Sequence, residues 1–337
     1  MNVAWFWMLA VMLTVYAALD GFDLGVGAIH LWVARSNEER RAALNSIGPV
    51  WNGNEVWLLA AGGMMVVAFP RVYASGFSGF YLALMLVLWL LIVRGVSIEF
   101  RHQIDHPLWR AIWDAGFWAG SLLLALLLGV ALGNLLRGLP IGAGGSFQGT
   151  FALLLNPYSL LTGLLSLALL AWHGANYLRL KTENALLERA RQWSERLLWA
   201  AAALAGITTA ATFQARPGAA SNFLAHPVAF VLPGLAAAGF LGGFAFRRDP
   251  GDKLPFLMST LVIASLLVTA AVTVFPNLLT STLNSAWSLT AYNAASSPRA
   301  LRDAFIANGL GMIAVVIYTT YVHRAFRGKV RVGTHGY

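Results

Sequence analysis

Residues 4–33 read AWFWMLAVMLTVYAALDGFDLGVGAIHLWV, an apolar run that carries two aspartates and neither lysine nor arginine. A helix needs about 20 residues to cross the hydrocarbon core of a bilayer, and this run exceeds that length. It lacks a basic leader and contains acids, so it is expected to stay in the mature chain rather than act as a secretory signal. The run therefore predicts a transmembrane helix that places carboxyl groups inside the membrane.

The rest of the chain repeats this pattern. Of its 337 residues, 58% are apolar and 11% are charged, whereas soluble domains carry about 25% charge, so an ordinary soluble enzyme is excluded. We predict one all-α polytopic membrane domain with nine transmembrane helices, arranged as two four-helix bundles within 1–136 and 155–276 and one C-terminal helix. The predicted helices cover residues 4–33, 47–69, 76–99, 111–136, 155–178, 194–214, 226–246, 255–276 and 303–326.

The positions of the basic residues explain the net charge of +9. Of the 23 lysines and arginines, 17 follow the odd-numbered predicted helices, five lie in the intervening loops, and Arg94 lies within a helix. Cytoplasmic loops are enriched in lysine and arginine. We therefore predict an external N-terminus and a cytoplasmic C-terminus. Because topology accounts for the charge, we expect no nucleic-acid partner.

The cysteine and histidine content limits the chemistry of this chain. Cysteine is absent, which excludes disulfides, thiolate metal ligands and cysteine nucleophiles. Of seven histidines, only His173 lies well inside a predicted helix. A single helical histidine is more often a packing residue with hydrogen bonds than an axial haem ligand. The residues themselves predict no self-contained metal site.

Seven ionisable side chains fall inside predicted helices, where each costs about 2.5 kcal/mol or more at the bilayer centre unless it has a partner or a cavity. With the predicted topology, all seven lie between the middle of the membrane and its cytoplasmic face. This asymmetry indicates a polar inlet for protons or cations that opens to the cytoplasm. The seven are Asp20, Asp23, Glu55, Arg94, Glu99, Asp114 and His173.

Two aspartates on the first helix form an acidic pair. Asp20 and Asp23 are three residues apart and share a helix face. Two close carboxylates in low dielectric cannot both ionise cheaply, so either one holds a proton or Arg94 neutralises one of them. Asp23 has an alternative role as a hydrogen-bonding residue that holds neighbouring helices together. Small residues on this helix, which allow close approach of another helix or of a flat cofactor, are Gly21, Gly25 and Gly27.

Several motifs resemble subunit II of the cytochrome bd-type quinol oxidases. They are DGFDLGVG at 20–27, NSIGPVWNGNEVW at 45–57, SGFY at 78–81, LLLNPY at 153–158 and the closing THGY at 334–337. The resemblance covers essentially the whole chain. It implies a haem-free subunit of a terminal oxidase that reduces O2 to water, inactive alone and paired with a subunit I that carries two haems b and haem d.

The resemblance also implies surroundings and partners. The chain would lie in the bacterial cytoplasmic membrane among lipids, quinol and O2, with room for small single-helix accessory subunits. Some members of the family hold a structural quinone in subunit II. Quinol would release its protons outside while O2 reduction draws protons from inside, which builds a membrane potential.

Residue by residue, the resemblance assigns proton-path positions to Asp20, Arg94 and Glu99. The acidic pair on the first helix adds Asp23 as a further candidate. It assigns Trp57 to the mouth of a lateral oxygen tunnel. For Glu99, a side chain that extends to the membrane interface is an equal alternative.

The polar segment of the second helix departs from the family pattern. Some members have Asp where this chain has Asn52, and Gln where it has Glu55. An amide cannot release a proton, so Asn52 can orient water but cannot titrate. Glu55 lies one helical turn further on and can take over that task. The departure can instead mark the cyanide-insensitive branch of the family.

Two other classes of protein fit intramembrane acids. The main alternative is a proton-coupled secondary transporter, although transporters usually contain discontinuous helices and internal repeats. A purely structural scaffold is the third interpretation.

Overall fold

The computed structural model describes residues 1–330, so the THGY motif lies outside the described residues. Thirteen α-helices, two short strands and three 3-10 turns make up the described chain. The longer helices are α1 (Asn2–Val33), α2 (Asn37–Ile47), α3 (Trp51–Ala68), α4 (Pro70–Gly79), α5 (Tyr81–Phe100), α6 (Pro107–Arg137), α8 (Pro157–Lys181), α9 (Asn184–Ala215), α11 (Val231–Ala245), α12 (Lys253–Val274) and α13 (Pro298–Ala325). The short elements are α7 (Phe151–Leu154), α10 (Ser221–Ala225), β1 (Asn277–Leu279) and β2 (Leu289–Thr290).

Eight helices in the described part of the chain are long and apolar enough to cross a membrane. They are α1, α5, α6, α8, α9, α11 with the preceding turn Pro227–Phe230, α12 and α13. The second predicted span corresponds to α3, whose first two turns carry Asn52, Asn54 and Glu55. Its 18 residues extend about 27 Å, close to the thickness of the hydrocarbon core. The polytopic all-α fold is confirmed, whereas the ninth span and the orientation of the termini stay predictions.

The helix boundaries differ from the predicted ones where the local sequence interrupts a helix. The second predicted span begins at Trp51 rather than 47, after the turn that contains Pro49. The preceding residues form α2, a polar helix with a capping box made by Ser36 and Glu39. The third predicted span is divided at Phe80 into α4 and α5.

Helix α1 lies at the centre of the bundle and packs against α3, α6, α8 and α12. Its closest approach is to α8. A Cβ added to Gly25 would lie 1.9 Å from the carbonyl oxygen of Leu170, and one added to Gly174 would lie 2.3 Å from the carbonyl carbon of Gly25. The expected close helix approach is observed: α8 lies against Gly21 and Gly25, and α6 lies against Gly27. The division into two four-helix bundles stays a prediction.

The loops at the α1 N-terminal end contain a short sheet that the sequence did not predict. Strands β1 and β2 pair in antiparallel orientation, and the loop after α6 joins them through a bridge between Leu139 and Ser281. This end therefore has an ordered cap of backbone hydrogen bonds, although most of the chain is helical.

Candidate functional site

The centre of the candidate site is one arginine shared by two acids. Arg94 of α5 donates from Nη2 to Oδ1 of Asp20 on α1 at 2.6 Å, and from Nη1 to Oε1 of Glu55 on α3 at 2.6 Å. Arg94 and Asp20 are fully buried, whereas the Glu55 side chain is 22% exposed. The three predicted residues therefore meet, and Glu55 is the member that reaches the surface.

The second aspartate pairs with an amide on the same neighbouring helix. Asn54 donates from Nδ2 to Oδ2 of Asp23 at 2.7 Å, and it lies 3.4 Å from the carbonyl oxygen of Leu19. Asp23 and Asn54 are both fully buried. Within residues 1–330, Oδ1 of each residue has no hydrogen-bond partner. Asp23 thus holds α1 against α3, which is the alternative role predicted for it.

Asn54 is the site residue that the sequence analysis did not assign. It sits beside Glu55 in the polar segment of α3. An amide in an otherwise apolar helix indicates a hydrogen-bonding role, because burial of an unpaired amide is costly. The sequence alone gave no means of choosing between Asn52 and Asn54 as the inward-facing amide.

The charges of this cluster do not balance if every group is ionised. Asp20, Asp23 and Glu55 supply three carboxyl groups, and among the described residues Arg94 supplies the one cation that contacts the group. Unpaired buried charges are costly, so an excess of carboxylates favours protonation of part of the group. The arrangement can therefore take up and release protons as well as hold the helices together. We name Asp20, Asp23, Asn54, Glu55 and Arg94 the charge cluster.

Two of the predicted proton-path residues lie outside the charge cluster. Asn52 is exposed on α3, one turn before Glu55. Glu99 is exposed near the end of α5 and lines a cavity of about 180 Å³ together with His102. Burial lowers the pKa of His102, and the neighbouring positive charge of Arg101 lowers it further.

Trp57 is buried in an apolar environment. Its side chain is 6% exposed and belongs to a core that includes Leu9, Met12 and Met64. Its indole Nε1 finds no hydrogen-bond partner among the described residues. An indole in this setting contributes apolar surface rather than a polar contact.

The remaining intramembrane candidates are satisfied elsewhere. Asp114 of α6 accepts from Arg101 at 2.5 Å and from Arg40 at 3.0 Å, so cations surround it. His173 contacts Oγ of Ser259 at 2.8 Å and the carbonyl oxygen of Ala18 at 3.0 Å through its two ring nitrogens. His173 is therefore a packing residue. In the chain up to residue 330, no group of three or more histidine, aspartate or glutamate side chains is placed to hold a metal ion.

The fold and the charge cluster define a polytopic helical membrane protein with titratable groups inside the bilayer. A sequence model of the family cytochrome bd terminal oxidase subunit II matches residues 1–326. This chain belongs to that family. The transporter alternative is thereby set aside.

Individual relatives support the same assignment. The chain is 36% identical over 355 residues to the probable cytochrome oxidase subunit 2 of Haemophilus influenzae, covering 97% of this chain and 94% of that protein. It is 32% identical to the cytochrome bd-I ubiquinol oxidase subunit 2 of Escherichia coli K12, with the same coverage of 97% and 94%. For the cytochrome bd ubiquinol oxidase subunit 2 of Bacillus subtilis, the identity is 32% and the coverage 95% of each chain.

A solved structure supports the fold. The bd oxidase from Geobacillus thermodenitrificans contains a chain that matches with a TM-score of 0.79 at 18% identity, covering 96% of this chain and 98% of that one. The chain is thus an integral protein of the bacterial inner membrane and a subunit of an oxidoreductase complex, a cytochrome bd quinol oxidase. Subunit II is the haem-free subunit, and the haems sit on subunit I.

Proposed function

We propose that this chain supplies part of the cytoplasmic proton path to the haem-bearing subunit I, with Glu55 as the titrating group. The observation that carries the proposal is the shared guanidinium of Arg94. It joins the fully buried Asp20 to Glu55, whose side chain is 22% exposed. Arg94 cannot give up its own protons, so in this proposal it stabilises the ionised form of each carboxyl group while a proton passes from Glu55 toward Asp20.

The chemistry of the complex requires such a path. Each O2 reduced to water consumes four protons, and moving one charge across the membrane is worth about 2.3 kcal/mol per 100 mV. A fixed cation beside exchangeable carboxyl groups lowers the cost of carrying protons through a low-dielectric region. In this proposal Asp20 and Arg94 form the inner end of the path.

In this proposal the exposed residues Asn52 and Glu99 lie at the entrance of the proton path. Asn52 lies one helical turn from Glu55 and can orient water there. Glu99 lies five residues beyond Arg94 on α5 and lines a cavity of about 180 Å³. Asp23 has a supporting task, since its bond to Asn54 fixes the helix that carries Glu55.

The test is the Glu55→Gln variant of the purified two-subunit complex, with haem content measured by absorbance. We expect oxygen consumption to fall about tenfold or more and the pH dependence of the remaining rate to flatten, because an amide cannot exchange a proton. Glu38→Gln removes an exposed carboxylate from α2 and should leave both properties unchanged. An unaltered rate and pH profile in Glu55→Gln, at full haem content, would contradict the proposal.

We also propose that Trp57 borders the route by which O2 enters. O2 is apolar, and Trp57 belongs to a buried apolar core that includes Leu9 and Met64. Trp57→Phe should leave the apparent KM for O2 almost unchanged, since the indole N–H has no partner in residues 1–330. Trp57→Ala removes the bulk of the ring and should change that KM severalfold at constant quinol KM. Equal O2 kinetics in both variants would exclude this part of the proposal.

The proposal treats subunit I as an obligatory partner, with quinol and O2 as substrates of the complex. This chain purified alone should show neither haem absorbance nor oxygen consumption, and activity should appear when the two subunits are produced together.

A further inference from the structure

A second cavity of the described chain lies away from the charge cluster. It has a volume of about 480 Å³ and lies where α8 ends, α12 begins and α13 ends. Its lining includes one carboxylate, that of Asp252. The basic residues in the lining are Arg179, Lys181, Arg191, Lys253, Arg327 and Lys329. We call this cavity the basic pocket.

The one carboxylate of the basic pocket is already engaged by two arginines. Asp252 accepts from Nε of Arg179 at 2.8 Å and from Nη2 of Arg191 at 2.9 Å. Arg179 is buried, and Asp252 is 4% exposed. Asp252 therefore offsets the charge of these arginines. The described lining has no second carboxylate to offset the other cations.

Two of the lysines hold the segment that follows α13 beside the pocket. Lys181 donates to the carbonyl oxygen of Phe326 at 2.6 Å, and Lys329 donates to that of Thr182 at 2.7 Å. These bonds fix the segment after α13 against the end of α8, and a backbone bond from Val330 to Lys181 adds to them. The wall of the basic pocket is thus held in place by its own hydrogen bonds.

Two further cations face the pocket, and neither has an anionic partner among residues 1–330. Lys253 and Arg327 are both exposed, and neither forms an ion pair with any residue between 1 and 330. Lys253 is also the first residue of α12, whose N-cap Asp252 makes no side-chain capping bond because its carboxylate contacts the arginines. The uncapped helix N-terminus adds positive potential to that of the two side chains.

The pocket is apolar between its charged groups. Val50, Tyr177, Leu180 and Phe326 line it. Helices α8, α12 and α13 are candidate transmembrane helices that end or begin there, so the pocket lies at the level where lipid headgroups meet the acyl chains. The density of lysine and arginine is that of a cytoplasmic surface.

We propose that the basic pocket binds the phosphate headgroup of an anionic phospholipid. Basic pockets between transmembrane helices on the cytoplasmic side suit such headgroups. Lys253, Arg327 and the α12 N-terminus contact the phosphate, while Phe326 and Leu180 lie against the glycerol and the first acyl carbons. A soluble phosphate would gain nothing from the apolar lining or from the position at the membrane surface.

The test compares two double variants of the delipidated two-subunit complex by native mass spectrometry, titrated with phosphatidylglycerol. Lys253→Gln/Arg327→Gln removes two positive charges from the pocket. Arg248→Gln/Arg324→Gln removes two exposed charges that lie outside the lining. We expect the pocket variant to lose one tightly bound phosphatidylglycerol, with affinity for it reduced about 30-fold, since each cation near an anionic headgroup is worth roughly fivefold.

Each outcome decides the proposal. The proposal is supported if the control variant keeps the lipid that the pocket variant loses. Weak binding of phosphatidylcholine to the unaltered complex also supports the proposal. Equal phosphatidylglycerol binding in both variants, or equal binding of phosphatidylcholine, overturns it. Displacement of the bound lipid by millimolar inorganic phosphate also overturns it, because the pocket would then be a site for soluble anions.

Discussion

Arg94 on α5 and Asp20 on α1 form an ion pair of 2.6 Å between fully buried side chains that are 74 residues apart in the sequence. The pair joins two candidate transmembrane helices, and an uncompensated charge inside such a helix is costly. Glu55 on α3 contacts the same guanidinium. Three helices therefore meet at one cation, so Arg94 links α1, α3 and α5 through charged contacts.

Removal of this cation should destabilise the complex strongly. Arg94→Gln leaves Asp20 and Glu55 without their shared partner, and breaking a buried ion pair costs about 3–5 kcal/mol. We expect a lower melting temperature and a lower yield of haem-containing complex, measured by differential scanning fluorimetry and absorbance. Arg299→Gln is the control, since that side chain is 87% exposed and exposed pairs contribute about 1 kcal/mol or less. Equal melting temperatures of the two variants would refute the stabilising role of Arg94.

Asn54 should matter for stability, and Asn52 should not. Asn54→Ala leaves the buried Asp23 without its 2.7 Å donor, which costs about 1–3 kcal/mol. Asn52→Ala alters an exposed amide and should stay within about 0.5 kcal/mol of the unaltered complex. Thermal unfolding of both variants in detergent separates the two amides. If Asn52→Ala proved the more destabilising, the assignment of the inward-facing amide would be wrong.

The cost of intramembrane charge is the reason that much of the charge cluster could be predicted from the sequence. Asp20, Asp23, Glu55 and Arg94 each interrupt an apolar run, so each had to find a partner. The direction in which a residue faces was harder to predict. Glu99 is exposed, and five residues on an α-helix correspond to about 140° of rotation, so Glu99 does not share the buried face of Arg94.

The helix boundaries were predicted less well for a related reason. A hydropathy pattern identifies apolar segments that are long enough to span a membrane. Helix α2 is polar and is stabilised by its cap at Ser36, so hydropathy does not reveal it. The division between α4 and α5 at Phe80 lies inside a stretch that reads as continuous. The short sheet depends on contacts between distant loops, such as Leu139 with Ser281, which no local pattern contains.

Glu39 should make the stability of the α1–α2 junction dependent on pH. Burial alone would raise the pKa of Glu39, but hydrogen bonds from the backbone N–H groups of Arg35 and Ser36 and from the Arg189 side chain lower it below its usual value. The native pKa thus lies below the unfolded one, so the contribution is complete above about pH 4.3 and is lost as the pH falls through the native value.

The measurement is the melting temperature of the complex with Glu39→Gln, compared with the unaltered complex across a pH series. The difference should be largest near neutral pH and should shrink as the pH falls below about 4. Glu38→Gln removes the neighbouring exposed carboxylate of the same helical turn and serves as the control. A difference that grows toward acid pH would mean that the sign of the pKa shift is wrong.

The contact between α1 and α8 should tolerate no side chain larger than hydrogen at Gly25. A Cβ there would lie 1.9 Å from the carbonyl oxygen of Leu170 and 2.8 Å from the backbone nitrogen of Gly174. Both neighbours are backbone atoms within a helix, so they cannot move aside as a side-chain end can. Gly25→Ala must therefore separate the two helices by more than 1 Å, which costs about 1–3 kcal/mol or more.

Separation of α1 from α8 should also displace the charge cluster, since α1 carries both Asp20 and Asp23. We expect Gly25→Ala to lower the melting temperature and to reduce oxygen consumption per complex. Gly206→Ala in α9 provides the control, because a Cβ there meets nothing within 4 Å in the described chain and alanine favours the helix by about 1 kcal/mol. Equal melting temperatures of Gly25→Ala and Gly206→Ala would mean that α1 and α8 leave room for a methyl group at Gly25. The distance of 1.9 Å between an added Cβ and the Leu170 carbonyl oxygen would then be too short.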